Sequence, residues 1–413
     1  MNPENEMTQQ QWLALKDRAL AVSAEGITIA DGRLPDKPLI YVNKGFERLT
    51  GYTAEEVLGR NCRFLQGEEG NPETSRIIRE ALDQNRGCTV EIKNFRKDGS
   101  PFWNRLSITP VRDAENQVTH FIGIQSDVTL RREAELALKV ANEELAHANA
   151  IMQHDLVEAA QIQRAWLPQS LPQVPGYRFA WSFIPCQELG GDSLDVLRLD
   201  ENHVGVYVLD VTGHGVGAAL LSASIQRWLS PVPEHSCLFE RRPDSGEGYT
   251  VASPAAVAAF LNNWYQAEPK VGKFFTFIYG VLDLRDGEFR YVTAGHPPPL
   301  KIGARGGEIC PLANGVPMGM LKEFAFEEAR LRLSPGDRLL FYTDGAPEAA
   351  NAEEQLYGQE RLLKDLQEQT DKSADEALGA IMDRLRKWAG SQEMEDDVTF
   401  LLVEATGPQA PES

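Results

Sequence analysis

In the C-terminal half of this 413-residue chain, acidic residues recur where apolar runs begin or end. Asp210 closes the run HVGVYVLD ahead of the turn Val211-Thr212-Gly213-His214-Gly215-Val216-Gly217, and Asp344 follows the run from Arg338 to Thr343. Asp396 and Asp397 precede Val398-Thr399-Phe400-Leu401-Leu402-Val403, and Gly190-Gly191-Asp192 leads towards Asp195. Carboxylates gathered at strand ends, with few histidines or thiols, make a hard oxygen donor set that suits Mg2+ or Mn2+ better than Zn2+. A single Asp-Gly is ordinarily a turn, but four such clusters together favour a metal site. The strand, glycine turn and helix around Asp210 could also be a dinucleotide-binding fingerprint. That motif needs glycine where Ala218 stands, and a second strand about 20 residues on where Ser230-Pro231-Val232-Pro233-Glu234 follows.

The N-terminal third carries different chemistry. Along three alternating runs a period of two puts Cys88, Val90, Ile92 and Asn94 on one face, Phe102, Asn104, Leu106 and Ile108 on another, and Phe121, Gly123 and Gln125 on a third. Three amides therefore lie among apolar side chains, where an unpaired amide costs about 1–3 kcal/mol. They must satisfy one another or meet a ligand with a polar edge.

The elements that hold these residues follow from the pattern. Short strands, helices and longer alternating strands from about 24 to 128 predict an α+β module, and Lys97-Asp98-Gly99-Ser100 predicts a hairpin through its Asp-Gly pair. Between Leu130 and Trp166 there is no proline or glycine, and Leu138, Ala141, Leu145, Ala148, Met152, Ala159, Ile162 and Trp166 alternate in spacings of three and four, with Asp155 at one expected seam position. A dimeric coiled-coil connector fits this, as does a single helix lying on a neighbouring domain. After Leu167-Pro168 strands and helices return up to Ala405; the polar stretch Glu240 to Thr250 is expected to be disordered and the tail from Gly407 loose.

Composition narrows the functional classes. With 42% hydrophobic and 25% charged residues the chain is expected to be globular, and 61 acidic against 41 basic residues (net charge -20) argue against nucleic-acid or membrane partners. The start MNPENEMTQQQWLAL lacks the features of a secretion signal, so a cytoplasmic location is expected. Cys62, Cys88, Cys186, Cys237 and Cys310 are odd in number and scattered, which favours small core residues over a disulfide framework; Cys62 stands apart because of its surroundings.

The segment Gly59-Arg60-Asn61-Cys62-Arg63-Phe64-Leu65-Gln66 resembles the signature of LOV domains, the flavin-binding blue-light sensors of the PAS superfamily, and the resemblance recurs in IKNFRKDG, FWN and GIQ. It implies an FMN held by Asn61, Arg63, Gln66, Arg79, Asn94, Asn104 and Gln125, with Arg63 and Arg79 on the phosphate. It also implies a reversible, light-driven bond between the flavin ring and Cys62, after which Gln125 must exchange acceptor for donor. GGDSLDV, DVTGHGVGAALL, TFIYGVLDL, YVTAGHPPPL, LLFYTDGAPEA and EDDVTFLLV resemble, in that order, the SpoIIE-type branch of the PPM metal-dependent serine/threonine phosphatases. One departure is Ser193-Leu194, where the family usually carries two aromatics. That resemblance implies an α/β sandwich of two sheets flanked by helices. It further implies two Mn2+ or Mg2+ held by Asp192, Asp210, the Val211 carbonyl, Asp344 and either Asp396 or Asp397, with Asp192, Asp210, Asp344 and Asp396 catalytic. Met152 to Pro168 resembles the regulatory helix that enters such domains.

The expected whole is an α+β protein: a LOV photosensor at 24–128, a helical linker at 129–167 and a phosphatase at 168–405. Its expected activity is blue-light-regulated hydrolysis of phosphoserine or phosphothreonine on a partner protein. The family suggests a STAS-type anti-sigma-factor antagonist as that partner, and the linker helix suggests a homodimer. Two alternatives remain at this point: a light-dependent adaptor with a catalytically silent phosphatase-like domain, and a redox sensor using Cys62 and flavin in the dark.

Overall fold

The structure, a computed structural model, describes residues 8–67, 71–242, 248–267, 272–390 and 394–407. It divides into two compact units at Asn149/Ala150. In the first, strands β1 (Gly26–Asp31), β2 (Leu39–Val42), β3 (Cys88–Phe95), β4 (Pro101–Arg112) and β5 (Val118–Asp127) form one antiparallel sheet in the order β2-β1-β5-β4-β3. Helices α1 (Gln9–Val22), α2 (Lys44–Thr50), α3 (Ala54–Val57) and α4 (Pro72–Asp83) accompany it, with a 3-10 turn at Cys62–Gln66.

Local chemistry sets these boundaries. The Asn43 carboxamide accepts from Ile27 N at 2.7 Å and from Phe46 N at 2.8 Å, so one side chain caps α2 and ties it to β1. Asn71 caps α4 ahead of Pro72, whose missing N–H costs nothing at the first helical position. The β3–β4 hairpin forms, but by a longer turn than a two-residue Asp-Gly connection. Arg96 N bonds Ser100 O, Gly99 takes φ +84°, and Asp98 serves as a side-chain acceptor for Ser100 N.

Helix α5 (Thr129–Trp166) is continuous, and the unit boundary falls within it. Its sequence seam is open in the single chain, with Leu138, Leu145 and Met152 all exposed. Near its end the seam is only partly covered: Ile162 and Trp166 are exposed, whereas Ala159 of the seam packs together with Leu156 and Ala160, which lie outside it, against Leu189 and Ala219.

The second unit is a sandwich. Strands β6 (Tyr177–Ile184), β7 (Ser193–Arg198) and β8 (His203–Val211) are followed by α6 (Val216–Gln226). The stretch from Glu240 to Thr250, expected to be disordered, contributes arms to a small hairpin of β9 (Phe239–Arg241) and β10 (Tyr249–Val251); residues 243–247 lie outside the described residues, as does the tail beyond Gly407. Then come α7 (Pro254–Ala267), β11 (Phe275–Asp283), β12 (Glu288–Ala294), β13 (Leu300–Gly303), β14 (Gly306–Ile309), β15 (Ala329–Arg332), β16 (Arg338–Tyr342), α8 (Gly345–Glu348), α9 (Gln359–Gln367), α10 (Ala374–Ala389) and β17 (Val398–Ala405). One sheet runs β15-β12-β11-β8-β7 and the other β14-β13-β16-β17-β6. Val206, Val208, Ile278, Phe341 and Leu401 meet between the sheets, while α6 and α7 cover one outer face and α9 and α10 the other. Because both faces of β8 are covered, it reads as a continuous apolar run instead of an alternating one.

The inter-sheet core leaves little slack. A Cβ built on Gly280 would lie 2.1 Å from a Phe289 ring carbon, and that ring in turn stacks edge-on against Phe341 at 5.7 Å. Gly280→Ala is therefore expected to destabilise the unit by about 1–3 kcal/mol, read as a lower urea midpoint; an unchanged midpoint would show that the layer can repack.

Candidate functional site

The first unit encloses a cavity of about 420 Å³ lined by all eight photosensor residues singled out from the sequence. The register explains how the amides meet. Ile92 pairs with Asn104 and Leu106 with Gln125, so the three alternating runs present one shared face. Asn104 Nδ2 donates to Asn94 Oδ1 at 2.8 Å and to Gln125 Oε1 at 3.2 Å, and Gln125 Nε2 lies 3.5 Å from Cys62 Sγ. The network is incomplete, because Asn104 Oδ1 is buried without a partner. An amide oxygen left so would be met by a donor on a ligand.

Burial pushes the Cys62 thiol up to about 11, opposed only in part by the Gln125 amide, so the sulfur is protonated at neutral pH. At the mouth Arg63 pairs with Asp36, whose backbone and that of Lys37 take φ +67° and +48°, while Asn61 Oδ1 accepts from Arg63 N. Gln66 Oε1 receives the Ser75 hydroxyl at 3.1 Å.

At one end of the sandwich the structure gathers the acids. Asp210 ends β8, Asp192 precedes β7, Asp344 caps the short α8 after β16, and Asp396 and Asp397 precede β17. Asp192 Oδ2 accepts from the Thr343 and Thr399 hydroxyls at 2.8 and 2.6 Å, which leaves Asp192 Oδ1 buried without a partner; Asp344 Oδ1 is also orphaned. Burial, then mutual repulsion, raises four of these carboxyls: Asp210 to about 8, mainly with Asp344 and Asp396, and Asp344 to about 6. Asp192 is raised well above the carboxylate range by burial and by Asp210 and Asp397, and Asp396 is raised by burial and Asp397. A cluster that holds protons in this way without a counter-ion is suited to exchanging them for cations.

Asp396 and Asp397 differ in kind. Asp397 Oδ1 accepts from Cys186 N at 2.9 Å, and Oδ2 from Gly191 N at 2.5 Å and Asp192 N at 3.4 Å. Its lone pairs are thus engaged in shaping the loop that presents Asp192, whereas Asp396 accepts only from Asp397 N among the described hydrogen bonds. The Val211 carbonyl lies beside the same loop: a Cβ on Gly191 would stand 2.6 Å from it.

Several residues at the site were not singled out from the sequence. Cys186 offers its sulfur within 4.8 Å of carboxylate oxygens of Asp396 and Asp397, contrary to its expected place as a small core residue. Gln163 of α5 grips Gly190 at two points, donating to its carbonyl at 2.6 Å and accepting from its N–H at 3.2 Å. His296 is buried and held neutral, its ring pushed down to about 3, with Nδ1 2.7 Å from the Thr276 hydroxyl opposite Asp210. His296 and Gln163 lie inside segments quoted for their resemblance, YVTAGHPPPL and Met152 to Pro168, but the spacing does not single them out, and Cys186 has no motif at all, since each acts through a contact distant in sequence.

Two sheets packed face to face, helices outside and acids at the strand ends define the phosphatase fold of PPM type, and the first unit is a PAS fold around a ligand-sized cavity. Residues 200–406, half of the chain, match the family Stage II sporulation protein E (SpoIIE), and residues 25–130 match the PAS domain. The chain belongs to the SpoIIE family and carries a LOV-type PAS domain ahead of its phosphatase domain. Over 112 residues it is 44% identical to a blue-light-activated histidine kinase of Brucella anthropi, covering 27% of this chain and 23% of that protein. Over 122 residues it is 43% identical to a blue-light photoreceptor of Listeria monocytogenes, covering 30% and 48%. The chain thus spans less than half of the length of either relative. The SiaA-PP2C domain of Pseudomonas aeruginosa shares the fold of the second unit, with TM-score 0.51 and 22% identity over 63% of this chain and 99% of that one. Among the described residues no helix is long and apolar enough to cross a membrane.

The buried thiol sets a pH expectation. Its native value lies above the ordinary 9.0, so burial contributes stability below about pH 9 that is lost as pH rises towards 11. Alkylation of Cys62, followed by peptide mass spectrometry, should reach half its limiting rate near pH 11; a midpoint near 9 would mean that the sulfur is solvated.

Proposed function

We propose that the chain is a blue-light-regulated, metal-dependent protein serine/threonine phosphatase. The observation that carries this reading is the buried acid cluster, whose orphaned Asp192 and Asp344 oxygens ask for cations, in the same chain as a cavity that sets a protonated thiol beside an unsatisfied amide face. Asp192, Asp210, Asp344, Asp396 and the Val211 carbonyl would hold two Mn2+ or Mg2+. When bound, the metals would generate a nucleophilic hydroxide and neutralise charge on the phosphoryl oxygens. Asp397, which accepts from three backbone N–H groups, would position Asp192 instead of coordinating.

In the sensor, Asn94, Asn104 and Gln125 would hold the polar edge of FMN, with Arg63 and Arg79 on its phosphate and Asn61 and Gln66 completing the contacts. When bound, FMN would supply blue-light absorption and a ring carbon to which the Cys62 sulfur can add reversibly, the thiol proton passing to a ring nitrogen and returning when the bond breaks. Gln125, which accepts from Asn104, would then have to donate to the ring, which would strain the Asn104 contact and load β5, two residues before Asp127. We infer that this load shifts α5 between two packings, and that the grip of Gln163 on Gly190 carries the shift to the Asp192 loop. A differential stability of about 1.4 kcal/mol suffices for a tenfold population change. The open seam of α5 supports a homodimer, and the substrate class we favour is a phosphorylated STAS-type anti-sigma-factor antagonist in the cytoplasm.

The test measures Mn2+-dependent hydrolysis of a phosphoserine protein in blue light and darkness while flavin absorbance is followed on the same sample. Reversible bleaching with a matched change in turnover is expected, and equal turnover in both conditions would overturn the coupling. Cys62→Ala should keep flavin and turnover but lose the light response. Asp210→Asn should lower kcat by at least roughly a hundredfold and abolish the rise in thermal midpoint on adding Mn2+; retained Mn2+ stabilisation would exclude Asp210 as a ligand.

A further inference from the structure

The acids account for cations but provide no side chain for the phosphoryl group itself. One ammonium is placed to do so. Lys273 precedes β11, and its Nζ donates to the Thr212 carbonyl at 2.7 Å, two residues beyond Asp210. The same Nζ lies 3.3 Å from the position of a Cβ on Gly213, and its Cε 3.5 Å from that of one on Gly217. The side chain is therefore folded over the turn that leads from Asp210 to α6 instead of extending into water. The same turn also meets the Asp192 loop, because a Cβ on Gly191 would stand 2.6 Å from Val211 O and 3.1 Å from Gly213 O.

The backbone under Lys273 is also fixed. Thr212 and Phe274 exchange three hydrogen bonds, Thr212 N to Phe274 O at 3.0 Å, the Thr212 hydroxyl to the same oxygen at 2.8 Å, and Phe274 N to that hydroxyl at 3.1 Å. The Tyr265 hydroxyl, on a side chain buried in the core, donates to the Lys273 carbonyl. Pinning a lysine costs rotamer freedom that surface lysines ordinarily keep. No carboxylate among the described residues pairs with it, although the chain carries a net charge of -20. One ammonium N–H is used by Thr212, which leaves two donors for an anion.

We propose that Lys273 receives the phosphoryl oxygens of the substrate, and of the phosphate product, at the lip of the acid cluster. This rests on the phosphatase reading above. A compact ammonium binds phosphate as a point charge without the two-pronged geometry of arginine, so it tolerates the changing shape of the phosphoryl group during in-line transfer.

The experiment uses the full chain loaded with Mn2+ and titrates inorganic phosphate by calorimetry, alongside kcat and KM for an aryl phosphate and the inhibition constant of inorganic phosphate. Lys273→Met should weaken phosphate binding and inhibition by roughly ten- to a hundredfold and raise KM, with Mn2+ affinity and thermal midpoint unchanged. Lys273→Arg should restore phosphate binding to within about threefold, because the charge returns. Wild-type phosphate affinity in Lys273→Met would overturn the proposal, as would a loss of phosphate affinity accompanied by an equal loss of Mn2+ affinity, which marks a structural role. Wild-type protein that binds Mn2+ but hydrolyses nothing would sink the phosphatase reading, and the role of Lys273 with it.

Discussion

Several carboxylates buried together repel one another and resist leaving water, and the second unit is arranged around that conflict. Asp192, Asp210 and Asp344 are all raised above the ordinary carboxylate range by this burial and repulsion. Backbone and hydroxyl donors are distributed so that Asp192 is oriented by Thr343 and Thr399, and Asp397 accepts from three N–H groups, while other oxygens stay bare. A fully satisfied cluster would be more stable without cations and would have no use for them. The rigid two-sheet core is what holds the acids in place against their repulsion.

The sensor resolves the opposite problem. Its buried polar groups are neutral amides and a thiol held in the protonated form, and Asn104 shares its donors between Asn94 and Gln125. The two units thus leave different groups open, carboxylate oxygens in one and an unfinished amide chain in the other.

What could be read from the sequence follows from this physics. The strands of the first sheet have one covered cavity face, so alternation marks Asn94, Asn104 and Gln125 as companions before any fold is known, and their pairing registers make that face continuous. In the sandwich both faces of β8 are covered, so periodicity is silent and only the acids at strand ends mark a site. Asp396 and Asp397 could not be separated because neighbours on extended chain point to opposite sides, and which side meets Asp210 depends on the other sheet. Lys273 reaches its partner from a loop with no motif of its own, and the resemblance of Met152 to Pro168 to a regulatory helix does not single out Gln163 within it. The helical period of α5 could not say which of its faces would be covered: the seam through Ile162 and Trp166 is open, and the face with Ala160 and Gln163 is buried.

The sandwich also has a temporal consequence. Its first strand, β6, hydrogen-bonds its last, β17, with Tyr177 opposite Ala405 and Ile184 opposite Val398. Asp396 and Asp397 therefore reach the other acids only when the end of the unit has been synthesised, more than 200 residues after β6. Closure of so long a loop is slow compared with forming local hairpins. A nascent chain on the ribosome can complete its sensor early but acquires a finished acid centre among the last events of folding, so incomplete chains carry a photosensor without an effector.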